Sequence, residues 1–237
     1  MTGDATRAIH DSEIIIGNAG YLDQIAWLTG GKKVIRSSMG HEVERAREAV
    51  GMASESRVAM VSGGDPGVYG MASIVLEVVD NLGSSIHVEV IPGITAATAA
   101  AALVGSPLSG DFAVVSLSDL LTPWDVIENR LRAVTGAGMP LVLYNPRSRT
   151  RSANFGRAMK IILDSLPGST PMAVVREAHR EGEQVITLTA GDWETVEEFV
   201  DMHTVVIIGS EETRFWRNGN ETRGIITPRG YHRKYVY

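Results

Sequence analysis

From Asp11 to about Gly110, short β-branched runs alternate with amphipathic stretches. Glu13–Ile16, Lys33–Ile35, Arg57–Val61 and Ile86–Ile91 read as strands, the last two bounded by glycine-rich or Pro-Gly turns. Between them, His41–Ala53 places Val43, Ala46, Ala49 and Val50 at helical spacing, with Glu42, Glu44, Arg45, Arg47 and Glu48 on the other faces. Strand, helix, strand, helix in that order predicts a largely parallel sheet covered on both sides.

A second series follows the turn-rich stretch Pro107-Leu108-Ser109-Gly110-Asp111. Its predicted strands are Phe112–Ser116, Met139–Tyr144, Met172–Arg176, Gln184–Leu188 and Val205–Ile208, and its helices lie near Trp124–Ala133, Ala153–Ser165 and Trp193–Val200. Arg214–Thr227 reads as a hairpin turning at Asn218-Gly219-Asn220. The pattern therefore predicts two α/β domains, residues 1–110 and residues 111–237, with no repeat and no low-complexity segment.

Composition narrows the chemistry. The 237 residues are 44% hydrophobic and 21% charged, an ordinary globular balance. The apolar runs are shorter than the roughly 20 residues of a membrane span, and the N-terminal residues lack the basic-then-apolar order of a secretory signal. A cytoplasmic protein with no membrane partner is expected. With no cysteine, thiol nucleophiles, disulfides, zinc knuckles and iron–sulfur clusters are excluded. His41-Glu42-Val43-Glu44-Arg45 lacks the second histidine of a zinc helix, so no metal site is expected. The 22 Lys and Arg against 28 Asp and Glu give a net charge of −6, which argues against a nucleic-acid partner. Basic residues do gather at Arg147, Arg149, Arg151, Arg157 and Lys160, which suits either an anionic substrate or a solvated helix face.

The strongest local signal is Ser62-Gly63-Gly64-Asp65-Pro66-Gly67-Val68-Tyr69-Gly70, directly after a predicted strand and before a predicted helix. Ligands of open α/β sheets bind at such strand ends, where glycines let the backbone approach and a helix start offers free N–H groups. A second strand-to-helix loop, Ile91-Pro92-Gly93-Ile94-Thr95-Ala96, is equally compatible with a flat ligand or with a packed alanine-rich helix capped by Thr95. Neither G-x-G-x-x-G nor G-x-x-x-x-G-K-[ST] occurs, which removes most support for NAD and for P-loop nucleotides. No G-x-S-x-G elbow of a hydrolase occurs either.

These two loops, together with Leu143-Tyr144-Asn145-Pro146-Arg147-Ser148, Val175-Arg176-Glu177-Ala178 and Ile226-Thr227-Pro228-Arg229-Gly230-Tyr231, resemble the tetrapyrrole methylase superfamily over nearly the whole chain. Adding Ser116-Leu117-Ser118-Asp119-Leu120-Leu121-Thr122-Pro123-Trp124 narrows the resemblance to the branch that methylates C17 of precorrin-3B or cobalt-factor III, with ring contraction, in cobalamin biosynthesis. The resemblance implies the tetrapyrrole methylase fold, an α/β homodimer with S-adenosylmethionine held in a cleft between two domains and released as S-adenosylhomocysteine. By motif, Gly64, Asp65 and Tyr69 would line the cofactor from the first loop, and Thr95 and Ala96 from the second. Tyr144 and Asn145 would wall the adenine, Ala178 would contact the purine region, and Thr227 and Pro228 would close over it.

Methyl transfer from a sulfonium is an in-line displacement, and a reduced tetrapyrrole has enamine-like carbons that attack without prior deprotonation. Orientation and exclusion of water can then supply most of the acceleration, which accounts for the lack of a triad or metal signature. The carboxylates of such a substrate suit Arg147, Arg149, Arg151 and Arg229, since guanidinium binds carboxylate as a bidentate fork. Asp119 is the candidate for proton handling, or else an acidic residue at a helix start.

Three alternatives stay open: a sister methylase acting on another precorrin position or, like diphthine synthase, on a protein; a ribosomal RNA ribose methylase; and a non-catalytic truncated homologue. The last follows from the start of the chain. Family members open with an apolar strand and a Gly-x-Gly-Pro-Gly loop, whereas Met1–Ile9 reads as the inside of the following helix. The first strand is therefore expected to be missing, leaving its neighbours with unpaired backbone groups and impairing catalysis by the 237-residue form.

Overall fold

The computed structural model describes residues 1–236, which divide into two compact units, Met1–Thr95 and Ala96 to the C terminus.

The first unit runs α1 (Gly3–Asp11), β1 (Ile14–Asn18), α2 (Ala19–Gln24), β2 (Lys33–Ser37), α3 (Glu42–Met52), β3 (Val58–Val61) and α4 (Ala72–Asn81). Thr2 opens α1 as its cap, its hydroxyl accepting from Ala5 N–H at 3.2 Å. The strands form a parallel sheet in the order β2-β1-β3. Successive side chains of a strand point to opposite faces, yet Ile14, Ile15 and Ile16 of β1 are all buried, so both faces are covered. Ile15 packs with Ile9 and Leu22, while Ala46 and Val50 of α3 pack with Val78 of α4.

The predicted strand Ile86–Ile91 is a difference. The segment carries the β-branched composition of a strand, but among the described residues it pairs with no sheet, and β3 has only β1 as a neighbour. Composition supplies a side-chain preference; a strand exists only where a second backbone completes the ladder.

The second unit begins with α5 (Ala96–Val104) and the short β4 (Gly105–Ser106). It continues through β5 (Ala113–Ser116), α6 (Trp124–Gly136), β6 (Leu141–Tyr144), α7 (Asn154–Leu163), β7 (Pro171–Arg176), β8 (Gln184–Thr189), β9 (Thr204–Ile208), β10 (Arg214–Asn218) and β11 (Glu221–Ile226). Five strands form a mixed sheet, β5-β6-β9-β7-β8; the β10–β11 hairpin pairs with β4 in a small second sheet. The segment predicted as a helix over Trp193–Val200 is instead a 3-10 turn at Ala190–Val196.

One face of the large sheet carries the main core. Leu141, Leu143, Met172, Val174, Val206 and Ile208 meet Ile127 and Leu131 of α6 and Phe155, Met159 and Ile162 of α7. Val142 and Tyr144 point the other way along β6 and are buried too. On that side, α5 packs against β8, β9 and β11. By contacts, α5 and β4 are held by the strands of the second compact unit, Ala96 onward. Among the described residues, no helix is long and apolar enough to cross a membrane.

Candidate active site

In the first unit the loop after β3 is folded against the Pro92-Gly93 loop. Both carboxylate oxygens of Asp65 are used to join them: Oδ1 accepts from Gly67 N–H at 2.8 Å and Oδ2 from Gly93 N–H at 2.9 Å. Glycine is required at this approach, because a Cβ on Gly93 would lie 2.0 Å from the Gly64 carbonyl oxygen. Gly70 is equally confined, by the Pro66 carbonyl oxygen at 2.6 Å from its would-be Cβ. Ser62 Oγ accepts from Met71 N–H at 3.3 Å and Pro66 O from Ala72 N–H at 3.0 Å, so the loop is tied to the start of α4. Tyr69 is exposed and holds a left-handed backbone, φ 52°.

A buried cation stands behind this loop. Arg45 of α3 is 4% exposed; its guanidinium donates to Ser37 Oγ, to Ser38 O at 3.2 Å and to the Met71 sulfur at 3.4 Å. Sequence reading assigned Arg45 to a polar helix face and missed this role, since helical spacing alone does not show which polar side chain turns inward.

In the second unit β5, β6 and β7 run in one direction and β8 and β9 in the other. The carboxyl ends of β5, β6 and β7 therefore share one edge, and three of the quoted motifs lie there. Asn145 Nδ2 donates to Ser116 Oγ at 2.9 Å, joining the ends of β6 and β5. Tyr144 is buried, and its phenolic oxygen accepts from Ala97 N–H at 2.6 Å in the first turn of α5. Arg147 donates to Glu197 O at 2.9 Å and to Glu198 Oε1 at 2.9 Å. After β7, Arg176 pairs with Asp201 at 2.8 Å, and Glu177 Oε1 lies 2.8 Å from His203 Nδ1.

Backbone strain concentrates in these same loops. Among the described residues, the non-glycine residues with positive φ are Tyr69, Asn145, Glu177 and His179, at 50–56°. Each follows a strand within a quoted motif or directly beside one. Such strain costs energy and persists where the surroundings hold it, often at binding sites.

A cavity of about 620 Å³ opens at this edge between Arg147, Arg149, Arg176, Glu198, Asp201 and His203. It brings together two of the predicted substrate arginines, Arg147 and Arg149, and adds Arg176 and His203, which sequence reading had not assigned to substrate. Arg151 turns instead toward Asp119, with Nε 3.9 Å from its Oδ1. Arg229 is elsewhere, in a second cavity of about 590 Å³ lined also by Thr227, Pro228, Glu212, Arg214 and Tyr231. The Thr227 hydroxyl donates to Pro107 O at 2.6 Å and lies 2.8 Å from Thr213 Oγ1, so it serves the fold. Neither Tyr144, Asn145 nor Ala178 lines that second cavity. Thr95 closes the first unit and Ala96 opens α5 in the second. Among the described residues, no group of three or more His, Asp or Glu could hold a metal ion.

Strained loops at strand ends, in each unit, are where α/β enzymes commonly bind ligands, and an α/β enzyme is the class they point to. The chain belongs to the family of tetrapyrrole (corrin/porphyrin) methylases, whose model matches residues 1–194. It is 42% identical to a probable cobalt-factor III C(17)-methyltransferase of Salmonella typhimurium, over 98% of this chain and 93% of that protein. It is 44% identical to the cobalamin biosynthesis protein CbiHC of Archaeoglobus fulgidus over 99% of this chain, but spans about half, 50%, of that relative's length. Among solved structures, the crystal structure of the methyltransferase CobJ superimposes with a TM-score of 0.88 at 32% identity, covering 96% of this chain and 93% of that one.

Proposed function

We propose that this chain transfers a methyl group from S-adenosylmethionine to C17 of cobalt-factor III or precorrin-3B, with ring contraction, as a step of cobalamin biosynthesis. The observation that carries the reading is the near full-length similarity, on both sides, to a relative bearing that C(17) name. The family is that of corrin and porphyrin methylases, so a tetrapyrrole substrate is consistent with membership. The reading includes a homodimer in the cytoplasm.

The residues fit the methyl donor. An adenosyl group needs close backbone approach and apolar side chains, and the first unit offers the glycine-confined loop with Tyr69 and Ile94 both exposed beside it. S-adenosylmethionine supplies an electrophilic methyl carbon on a sulfonium. The proposed holding residues are Gly64, Asp65, Tyr69 and Thr95 of the first unit and Ala96, Tyr144, Asn145, Ala178 and Pro228 of the second, with Thr227, whose hydroxyl and backbone are bonded within the fold, acting by positioning Pro228. Asp65 acts by fixing the two loops against each other rather than by offering a free carboxylate. Arg147 and Arg149, with Arg176 beside them, take the carboxylates of the tetrapyrrole. Arg229 lines the other cavity, and a further peripheral carboxylate is the proposed occupant there. Asp119, kept near Arg151, is the proposed proton carrier.

Calorimetry with S-adenosylhomocysteine and NAD tests the cofactor half of the reading: heat is expected with the first and none with the second. The substrate half is tested by adding cobalt-factor III and methyl-labelled S-adenosylmethionine. Label entering the macrocycle supports it, and tight NAD binding or an unlabelled macrocycle overturns it.

A further inference from the structure

Leu120 and Leu121 stand next to each other with 75% and 91% of their surface open to solvent, while Leu117, three residues earlier, is fully buried. Covering a leucine is favourable in proportion to the apolar area removed from water, so an exposed adjacent pair at a strand-end edge marks a contact surface. The loop that carries the pair is not loose. Leu117 N–H donates to Tyr144 O at 2.8 Å, Asn154 Nδ2 to Leu117 O at 2.8 Å and Ser118 N–H to Ser116 Oγ at 3.2 Å. On its far side the Arg157 guanidinium lies 4.1 Å over the Trp124 ring. The two leucines are thus displayed by a braced loop, between two anchored ends.

Their neighbours limit what can cover them. Asp119, one residue earlier, faces Arg151, and Arg151 follows Arg147 and Arg149 of the cationic cavity in the same loop after β6. A partner for this surface must offer an apolar area beside negative charge. The geometry points to Leu120 and Leu121 as an apolar ledge against which one face of the tetrapyrrole rests while Arg147 and Arg149 hold carboxylates on its rim. A conjugated macrocycle with acidic side chains has that distribution, apolar on its faces and anionic at its edge. A purely apolar surface would offer no charge complementary to the arginines of the cavity. The inference rests on the proposed function and deepens it, by naming the residues that select for the ring itself rather than for its charges.

The ledge is tested with the Leu120→Ser/Leu121→Ser and Leu120→Met/Leu121→Met double variants, using cobalt-factor III as substrate. Both sites are solvent-exposed, so melting temperature should be unchanged. The serine variant is expected to raise KM for the tetrapyrrole at least about tenfold, with kcat within about twofold and S-adenosylhomocysteine affinity unaltered. Methionine, apolar and of similar volume, should restore KM. A serine variant with wild-type KM, or one that loses kcat alone, overturns the ledge. So does a lower mass by light scattering, which would make the leucines a contact with a second copy of the chain. Wild-type protein that leaves the macrocycle unmethylated removes the functional reading and the ledge with it; a competent wild type with an indifferent serine variant removes the ledge alone.

Discussion

Gly93 shows how a single hydrogen atom in place of a side chain can hold two loops together. Its N–H is spent on Asp65, and its α-carbon leaves no space for a methyl group next to the Gly64 carbonyl. Gly93→Ala should therefore cost about 1–3 kcal/mol through forced displacement and weaken S-adenosylhomocysteine binding at least about tenfold. Gly110→Ala is the control, since nothing lies within 4 Å of the added Cβ. Equal melting temperatures for the two variants would show that the loops yield without penalty. Arg147 is a second residue-scale case. One of its partners, Glu198, is highly exposed, and such a pair adds little to stability. Arg147→Ala should weaken tetrapyrrole binding by about 1–3 kcal/mol and leave S-adenosylhomocysteine binding nearly unchanged. Parallel loss of both ligands would make Arg147 a structural residue.

At the level of elements, two segments separate what a strand's sequence asks for from what its neighbours allow. β1 has partners on both sides, whereas His87–Ile91 makes no backbone hydrogen bond among the described residues. Amides of His87–Ile91 are predicted to exchange with solvent at least about a hundredfold faster than those of Ile15–Gly17. Comparable protection in the two segments would mean that the first unit's sheet extends further than β3. Helix α5 supplies the other element-scale test. Tyr144→Phe removes the acceptor for Ala97 N–H inside a buried contact and should cost about 1–2 kcal/mol, read by chemical denaturation. The sequence made most strands and helices legible, because alternation and helical spacing report which side chains are buried. It could not show that Ile86–Ile91 lacks a pairing edge, because pairing depends on a distant backbone. The glycine-rich segment was readable as a tight turn between a strand and a helix, whereas the turning of Arg45 toward Met71, and the placing of Arg176 and His203 in one cavity with Arg147, were not. The spacing of residues along β7 and β9 carries no trace of the antiparallel register that brings Arg176 opposite Thr204.

The whole molecule carries a net charge of −6, so it gains nothing from long-range attraction to a carboxylate-rich substrate. Recognition then has to be local. The second unit places Arg147, Arg149 and Arg176 around one cavity, where Glu198 and Asp201 balance part of their charge, and this cavity is the site proposed for it. Family membership and the near full-length similarity to a probable cobalt-factor III C(17)-methyltransferase agree with methyl transfer as the chain's reaction. The account stands or falls on where the methyl group goes. The most direct measurement is to incubate the purified chain with cobalt-factor III and carbon-13-labelled S-adenosylmethionine and to locate the label in the product by NMR. The account predicts one label, on C17 of a ring-contracted macrocycle. Label on any other position, or none transferred while S-adenosylhomocysteine still binds, would contradict it.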